Sequence, residues 1–201
     1  MHLRASLVVA ILFCLPSAAR AADADLAALL DDVETLAAPG VPGPLAVCGP
    51  KALAVVAGGG GKDVREPVVA AARWGRGRVV AFGHTGYVDA KTLADASTDT
   101  GRLMQNAVRW AAGTGGGNDG PLVGTLRADG LRRFLEAKGF RTVALPDLGS
   151  GGAGGSGGSG GERLRGVRVL CTDTARLRGD GNIETVAGVG RAGGGLVAVG
   201  L

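Results

Sequence analysis

The stretch Trp74-Gly-Arg-Gly-Arg-Val-Val-Ala-Phe-Gly-His-Thr-Gly-Tyr87, followed by Leu103-Met-Gln-Asn-Ala-Val-Arg-Trp110, decides the fold of this 201-residue chain. Gly75 and Gly77 break an apolar run with a tight turn, and residues 78–82 alternate too little for a half-exposed strand. They read as a buried strand ending at His84. A helix follows over residues 99–112. Leu103, Ala107, Trp110 and Ala111 fall on one of its faces, Asp99 or Thr100 stands where a cap belongs, and Gly113 stands where a helix stops.

Upstream, residues 25–37 carry Leu26, Leu29, Leu30, Val33 and Leu36 at helical spacing, ended by Pro39-Gly40. Residues 45–48, 52–57, 68–73 and 78–83 read as four short strands separated by glycine turns. Downstream of the glycine run at 113–120, residues 122–126 form a strand. Leu131, Phe134, Leu135 and Lys138 mark a helix capped by Asp129 and stopped at Gly139, and residues 141–145 form a second strand. So short a strand–helix–strand unit implies a parallel pair joined by a right-handed crossover. Residues 167–171, 183–191 and 196–201 continue as strand, helix and strand; Gly188 and Gly190 weaken that helix by about 0.8–1 kcal/mol each relative to Ala. The expected fold is α/β, an incomplete flavodoxin-like parallel sheet preceded by a small β-rich α+β module. The expected divisions are 1–21, 22–113 and 120–201.

Residues 1–21 read as a cleavable secretory signal. His2 and Arg4 precede an apolar run from Ala5 to Leu15, too short to span a ~30 Å hydrocarbon core, and Ala19-Arg20-Ala21 is a small-residue cleavage site. A chain exported to the periplasm or medium is expected, with Ala22 as its mature N-terminus and no membrane anchor. Loss of Arg4 and Arg20 lowers the formal charge from +4 to +2, and the remaining charge is scattered rather than gathered in a basic stripe, which argues against nucleic acid. Cys48 and Cys171 remain on segments that both read as buried strands. They pair as a disulfide or stay separate thiols, and the readiness of strand interiors to bury Cys favours the second. Residues 149–161 are nearly pure Gly, Ser and Ala and read as a flexible insertion.

Few motifs carry chemistry. Gly115-Gly-Gly-Asn-Asp-Gly120 and Gly188-Val-Gly-Arg-Ala-Gly193 satisfy G-x-G-x-x-G, but each precedes a strand, whereas a dinucleotide loop follows a strand and opens a helix. No cofactor is expected. No H-E-x-x-H is present, and a zinc site from His84, Cys48 and Cys171 has suitable ligand types without ligand spacing, so no metal is expected. The candidate functional residues are His84 and Tyr87, at the end of a buried strand, and Cys171 with Asp173, at the end of another. The competing reading of His84 is that its imidazole holds the 83–87 turn in shape, and that of Cys171 is simple burial. No catalytic residue is assigned: His84 is the only imidazole left after cleavage, and it belongs to a different segment from Cys171.

Gly75-Arg-Gly-Arg-Val-Val80, the strand-terminal His84, Tyr87 and Asn106-Ala-Val-Arg-Trp110, in that order, resemble the N-terminal part of the channel-associated-factor and enhancin-like metallopeptidase proteins. The resemblance implies a class I glutamine-amidotransferase-like domain over the second segment, with Gly193-Gly-Gly-Leu-Val197 matching its helix-to-strand junction. In amidotransferases the nucleophilic Cys follows such a strand, which would place it after Leu201. The chain is therefore expected to be a fragment and to serve as an exported, non-catalytic accessory module meeting protein or glycan surfaces. The alternative is an amidotransferase-like hydrolase whose nucleophile lies beyond Leu201.

Overall fold

The computed structural model describes residues 17–37, 40–41, 43–59, 65–113, 120–146, 148, 164–174 and 180–200. Most of the expected signal segment and all of the Gly/Ser insertion at 149–161 lie outside them.

Helix α1 (Ser17–Leu29) leads into irregular chain and then strands β1 (Ala52–Gly59), β2 (Arg65–Trp74) and β3 (Gly77–Phe82), which pair antiparallel as neighbours. Gly75, at φ +59, makes the β2–β3 turn. After a 3-10 turn (Thr85–Val88) come α2 (Ala90–Ala94) and α3 (Thr100–Ala112), neither the turn nor α2 being foreseen. The rest is β4 (Leu122–Leu126), α4 (Asp129–Ala137), β5 (Arg141–Leu145), β6 (Val169–Asp173), α5 (Asp180–Arg191) and β7 (Gly195–Val199).

All seven strands form one sheet in the order β1-β2-β3-β7-β6-β4-β5, parallel from β3 through to β5. The run β5-β4-β6-β7 has the flavodoxin-like order, and β3 occupies the place beyond β7 where such a sheet has its next strand. The expected α/β class therefore holds. The segments on either side of 113–120 are joined in space, with Arg78 opposite Gly195 and Phe82 opposite Val199.

Alternation along the strands divides the apolar side chains between two layers. Val80, Phe82, Val123, Val169, Cys171, Val197 and Val199 point into the larger core with α3 and Leu131 and Leu135 of α4, while Leu126, Leu145, Leu170 and Val186 form a smaller core on the other face. The sheet meets α3 closely at Gly195, where a Cβ would overlap the Ala111 carbonyl and lie 2.7 Å from the Ala111 methyl. Gly77 is tied similarly, since its Cβ would come within 2.8 Å of the Gly190 carbonyl oxygen.

Three local expectations are corrected. The helix expected over 25–37 ends at Leu29, and residues 33–37 run irregularly because α3 holds them. Asn106 Nδ2 donates to the Leu29 and Asp31 carbonyls at 3.3 and 2.8 Å, and Asp99 accepts the Glu34 and Thr35 N–H groups. Asp99 is thus turned to that segment and makes no side-chain cap on α3; likewise the residue capping α4 is Ala128, with Asp129 in the first turn. Residues 45–48 form no strand. Leu45 N–H reaches the Pro67 carbonyl, but Cys48 is exposed rather than buried, so the two cysteines do not share a buried environment.

Candidate functional site at the carboxyl ends of the parallel strands

Ligands of open α/β sheets collect outside the carboxyl ends of the strands. Here β3 ends at Phe82, and Gly83 is tied on both sides: its carbonyl accepts from Gly43 N and its N–H donates to the Val68 carbonyl. His84 follows in extended conformation and caps the 3-10 turn, its Nδ1 accepting the Gly86 N–H at 2.8 Å. That bond fixes the neutral tautomer with hydrogen on Nε2. The imidazole edge lies against Gly40, at φ +96, where a Cβ would sit 2.6 Å from His84 Nε2.

Tyr87 is buried against Phe82 with ring centroids 5.4 Å apart, and burial raises its phenol above the usual range. Cys171 is fully buried in the larger core, and desolvation pushes its thiol up to about 12. Asp173, at the end of β6, is half-buried, and Thr174 beside it donates its hydroxyl to the Gly200 carbonyl. Gly200 stands between the strand ends, since a Cβ on it would lie 3.5 Å from Asp173 Oδ1 and 2.7 Å from Thr85 Cγ2.

Of the four residues singled out in the sequence, the fold thus brings the His84 turn and Asp173 to the same rim and withdraws Tyr87 and Cys171 into the core. Among the described residues the rim offers the His84 imidazole and the Asp173 carboxylate. No thiolate is available there, because the unpaired charge on Cys171 would have no water or cation to solvate it. Among the described residues no group of three or more His, Cys, Asp and Glu side chains is placed to hold a metal ion.

Two features escaped the sequence reading. Arg127, immediately after β4 and beside the point between β4 and β6 where the strand order reverses, has φ +51, a left-handed conformation costly for a side chain of its size. Its guanidinium is anchored on the Pro146 carbonyl at 2.8 Å. The second feature lies at the opposite end of the strands. Asp25, 5% exposed, accepts two bonds from Arg73 at 2.6 Å each and one from Trp110 Nε1 at 2.9 Å. Arg78 lies 5.2 Å from the Trp110 ring centroid and donates to the Trp110 carbonyl at 2.6 Å. The signal for this network was the same Arg-Val-Val and Asn-Ala-Val-Arg-Trp motifs, read for order but not for partners.

A parallel sheet of flavodoxin-like order, extended at one side by an antiparallel hairpin, defines an α/β module. Residues 7–143, more than half of the chain, match the family described as "TRPM8, N-terminal domain" (TCAF_N), and the chain belongs to that family. In structure it is similar to IMPa from Pseudomonas aeruginosa in complex with an O-glycopeptide (TM-score 0.64, 16% identity) and to the IMPa metallopeptidase in complex with T-antigen (TM-score 0.63, 15% identity). Each match covers 91% of this chain and 20% of the other, so the chain spans about a fifth of the length of those proteins. At such identity the likeness establishes the fold. No curated protein matches the chain in sequence.

Proposed function

We propose that the chain is an exported, non-catalytic accessory module of an enhancin-like, peptidase-associated protein, with a class I glutamine-amidotransferase-like domain fold. Its work is to engage protein or glycan surfaces. The observation that carries the reading is the state of Cys171: fully buried, with its thiol pushed up to about 12, while the His84 imidazole is tied to its own turn. A nucleophile needs a base within ~2.6–3.2 Å and a route to substrate, and a buried thiol facing α3 has no such route. The fold shared with an IMPa complex that contains an O-glycopeptide fits a module working beside peptide or glycan. Among the described residues no helix is long and apolar enough to cross a membrane, which is compatible with export.

The test is turnover by the purified exported protein. No glutaminase, esterase or peptidase activity is expected, and Cys171→Ala should leave that result unchanged. A glutaminase signal lost in both His84→Ala and Cys171→Ala would overturn the reading in favour of an amidotransferase-like hydrolase. Mass spectrometry of the same material should find Ala22 at the N-terminus, and retained Met1 would refute export by a cleaved signal.

A further inference from the structure

A groove of about 690 Å³ runs between α2, α3 and α4, away from both His84 and the Asp25 network. Its lining combines the small residues Ala90, Gly101 and Gly130 with buried Leu93 and the Phe134 ring. Gly101 lets α3 approach α4 so closely that a Cβ there would meet Phe134 at 2.9 Å, while Ala94 and Ala137 form exposed parts of the opposite walls.

The rim is polar, and its two signs of charge are engaged differently. Asp99 accepts two backbone N–H groups at 2.9 and 2.8 Å, and Asp95 accepts the Ser97 N–H and hydroxyl at 2.9 and 2.7 Å. The cations Arg102, Arg133 and Lys138 are exposed; the Thr35 and Glu34 N–H groups and, after them, the neighbouring charge of Arg102 hold the Asp99 carboxyl below its ordinary range, whereas among the described residues neither Arg133 nor Lys138 is in an ion pair. Arg133 makes only a long bond, 3.4 Å, to the Asp129 carbonyl, and Lys138 lies 5.8 Å from the Phe134 ring centroid. By contrast the adjacent Arg132 is matched by Asp129 and Glu136.

We propose that this groove binds an extended acidic peptide segment of a partner protein, with small side chains on the floor and carboxylates meeting Arg133 and Lys138 first and Arg102, shared with Asp99, at the edge. The complementarity is one of charge at the rim and of size at the floor. A bilayer is flat and would not reach a floor enclosed by three helices. The inference rests on the reading of the chain as an interaction module and adds its partner chemistry.

The experiment is fluorescence anisotropy of the whole protein with a labelled peptide of alternating Glu and Ala, about nine residues long and so ~30 Å when extended. The Glu peptide should bind, more weakly as salt rises, and a Gln/Ala peptide should bind at least about tenfold more weakly. Arg102→Glu with Arg133→Glu should cost about tenfold or more, as should Ala94→Trp, which fills the groove without changing charge. Arg132→Ala should have no effect. Ala137→Trp, on the facing wall, replaces Ala94→Trp should the latter unfold. Failure of the Glu peptide to bind, binding undiminished by the tryptophan variant, or equal binding of oligothymidylate or anionic phosphatidylserine vesicles would overturn the proposal. None of these outcomes bears on the turnover assay, so the accessory reading and the groove fail separately.

Discussion

At the amino ends of the parallel strands, Arg73, Arg78, Asn106, Trp110 and Arg168 direct their polar atoms at one another, at Asp25, or at the carbonyls of α1 and α3. At the carboxyl ends, His84, Asp173 and Arg127 stand on separate turns that meet around Gly200 or sit beside the reversal of strand order. The first region is a structural clamp. α3 ends with Arg78 on the Trp110 carbonyl and Arg168 on the Ala112 carbonyl, cations where the helix dipole favours them. Its residues are also the ones most conspicuous in the sequence, so here the most recognisable motif is structural, and the region where an α/β sheet does chemistry carries the sparser pattern.

The largest effect should come from loosening the clamp at its tightest point. Gly195→Val places a side chain where the Ala111 carbonyl and methyl already stand, and neither backbone can yield without parting β7 from α3. A loss of more than about 4 kcal/mol is expected in denaturant unfolding. A fully folded variant with wild-type stability would show that α3 is not seated on β7 as described.

Next comes Asp25→Ala, which leaves Trp110 Nε1 without an acceptor and Arg73 without its carboxylate. Arg73 is itself 42% exposed, so much of its charge returns to water, and a loss of about 3 kcal/mol is expected, roughly 6–12 °C in Tm. Burial alone would raise the Asp25 pKa, but the bonds from Arg73 and Trp110 outweigh it and hold the carboxyl below its ordinary range. With the folded value below the unfolded one, the contribution is present above the ordinary carboxylate pKa and is lost as pH falls through the folded value. The stability gap between wild type and variant should therefore be full at neutral pH and shrink below about pH 4. A gap that widens on acidification would break the assignment.

The same contrast explains what could be read from the sequence. The strands at 122–126 and 141–145, the helix at 129–137 and the buried strand after Gly77 were legible because their period is set by one buried face and their ends by glycine. The end of α1 was not, because Leu26 to Leu36 keep helical spacing while Asn106 and Asp99, more than 60 residues away, decide where the helix stops. The glycine run at 113–120 suggested a boundary between modules, yet β3 and β7 pair across it through backbone bonds that side-chain pattern does not encode. His84 was legible as a strand-terminal turn residue; that Asp173 would stand on the same rim, and Cys171 behind it, depends on the β6–β7–β3 order.

A smaller effect is expected at Cys171. Its thiol should resist alkylation at pH 8 in the native protein while the exposed Cys48 reacts, which iodoacetamide labelling and mass spectrometry can separate. Because burial raises the folded pKa from 9.0 to about 12, native stability is unaffected below about pH 9 and falls as pH rises toward 12, where only the unfolded chain ionises freely. Cys171→Ala should remove its share of that alkaline slope, leaving the part due to the buried Tyr87 phenol, and cost about 1 kcal/mol for the lost volume. Rapid labelling of Cys171 in folded protein would place it in an open site and bring the two ends of the comparison closer together.

The smallest effect, and the one that sharpens the comparison most, is at His84. If the imidazole serves the turn, what it supplies is a single acceptor for Gly86 N–H, which Asn or Asp can also supply from a cap position. His84→Ala should then cost about 1 kcal/mol, and His84→Asn should recover most of it, read by thermal denaturation. Gly40 provides the second control. Its close approach to the ring leaves no room for a larger side chain, so Gly40→Ala should destabilise wild type more than His84→Ala, where the ring is gone. Rescue by Asn together with that coupling would make the carboxyl-end turn a structural element of the same kind as the clamp, only weaker. Full stability in His84→Ala, with Asn giving no advantage, would mean that the imidazole is held there for something other than the turn.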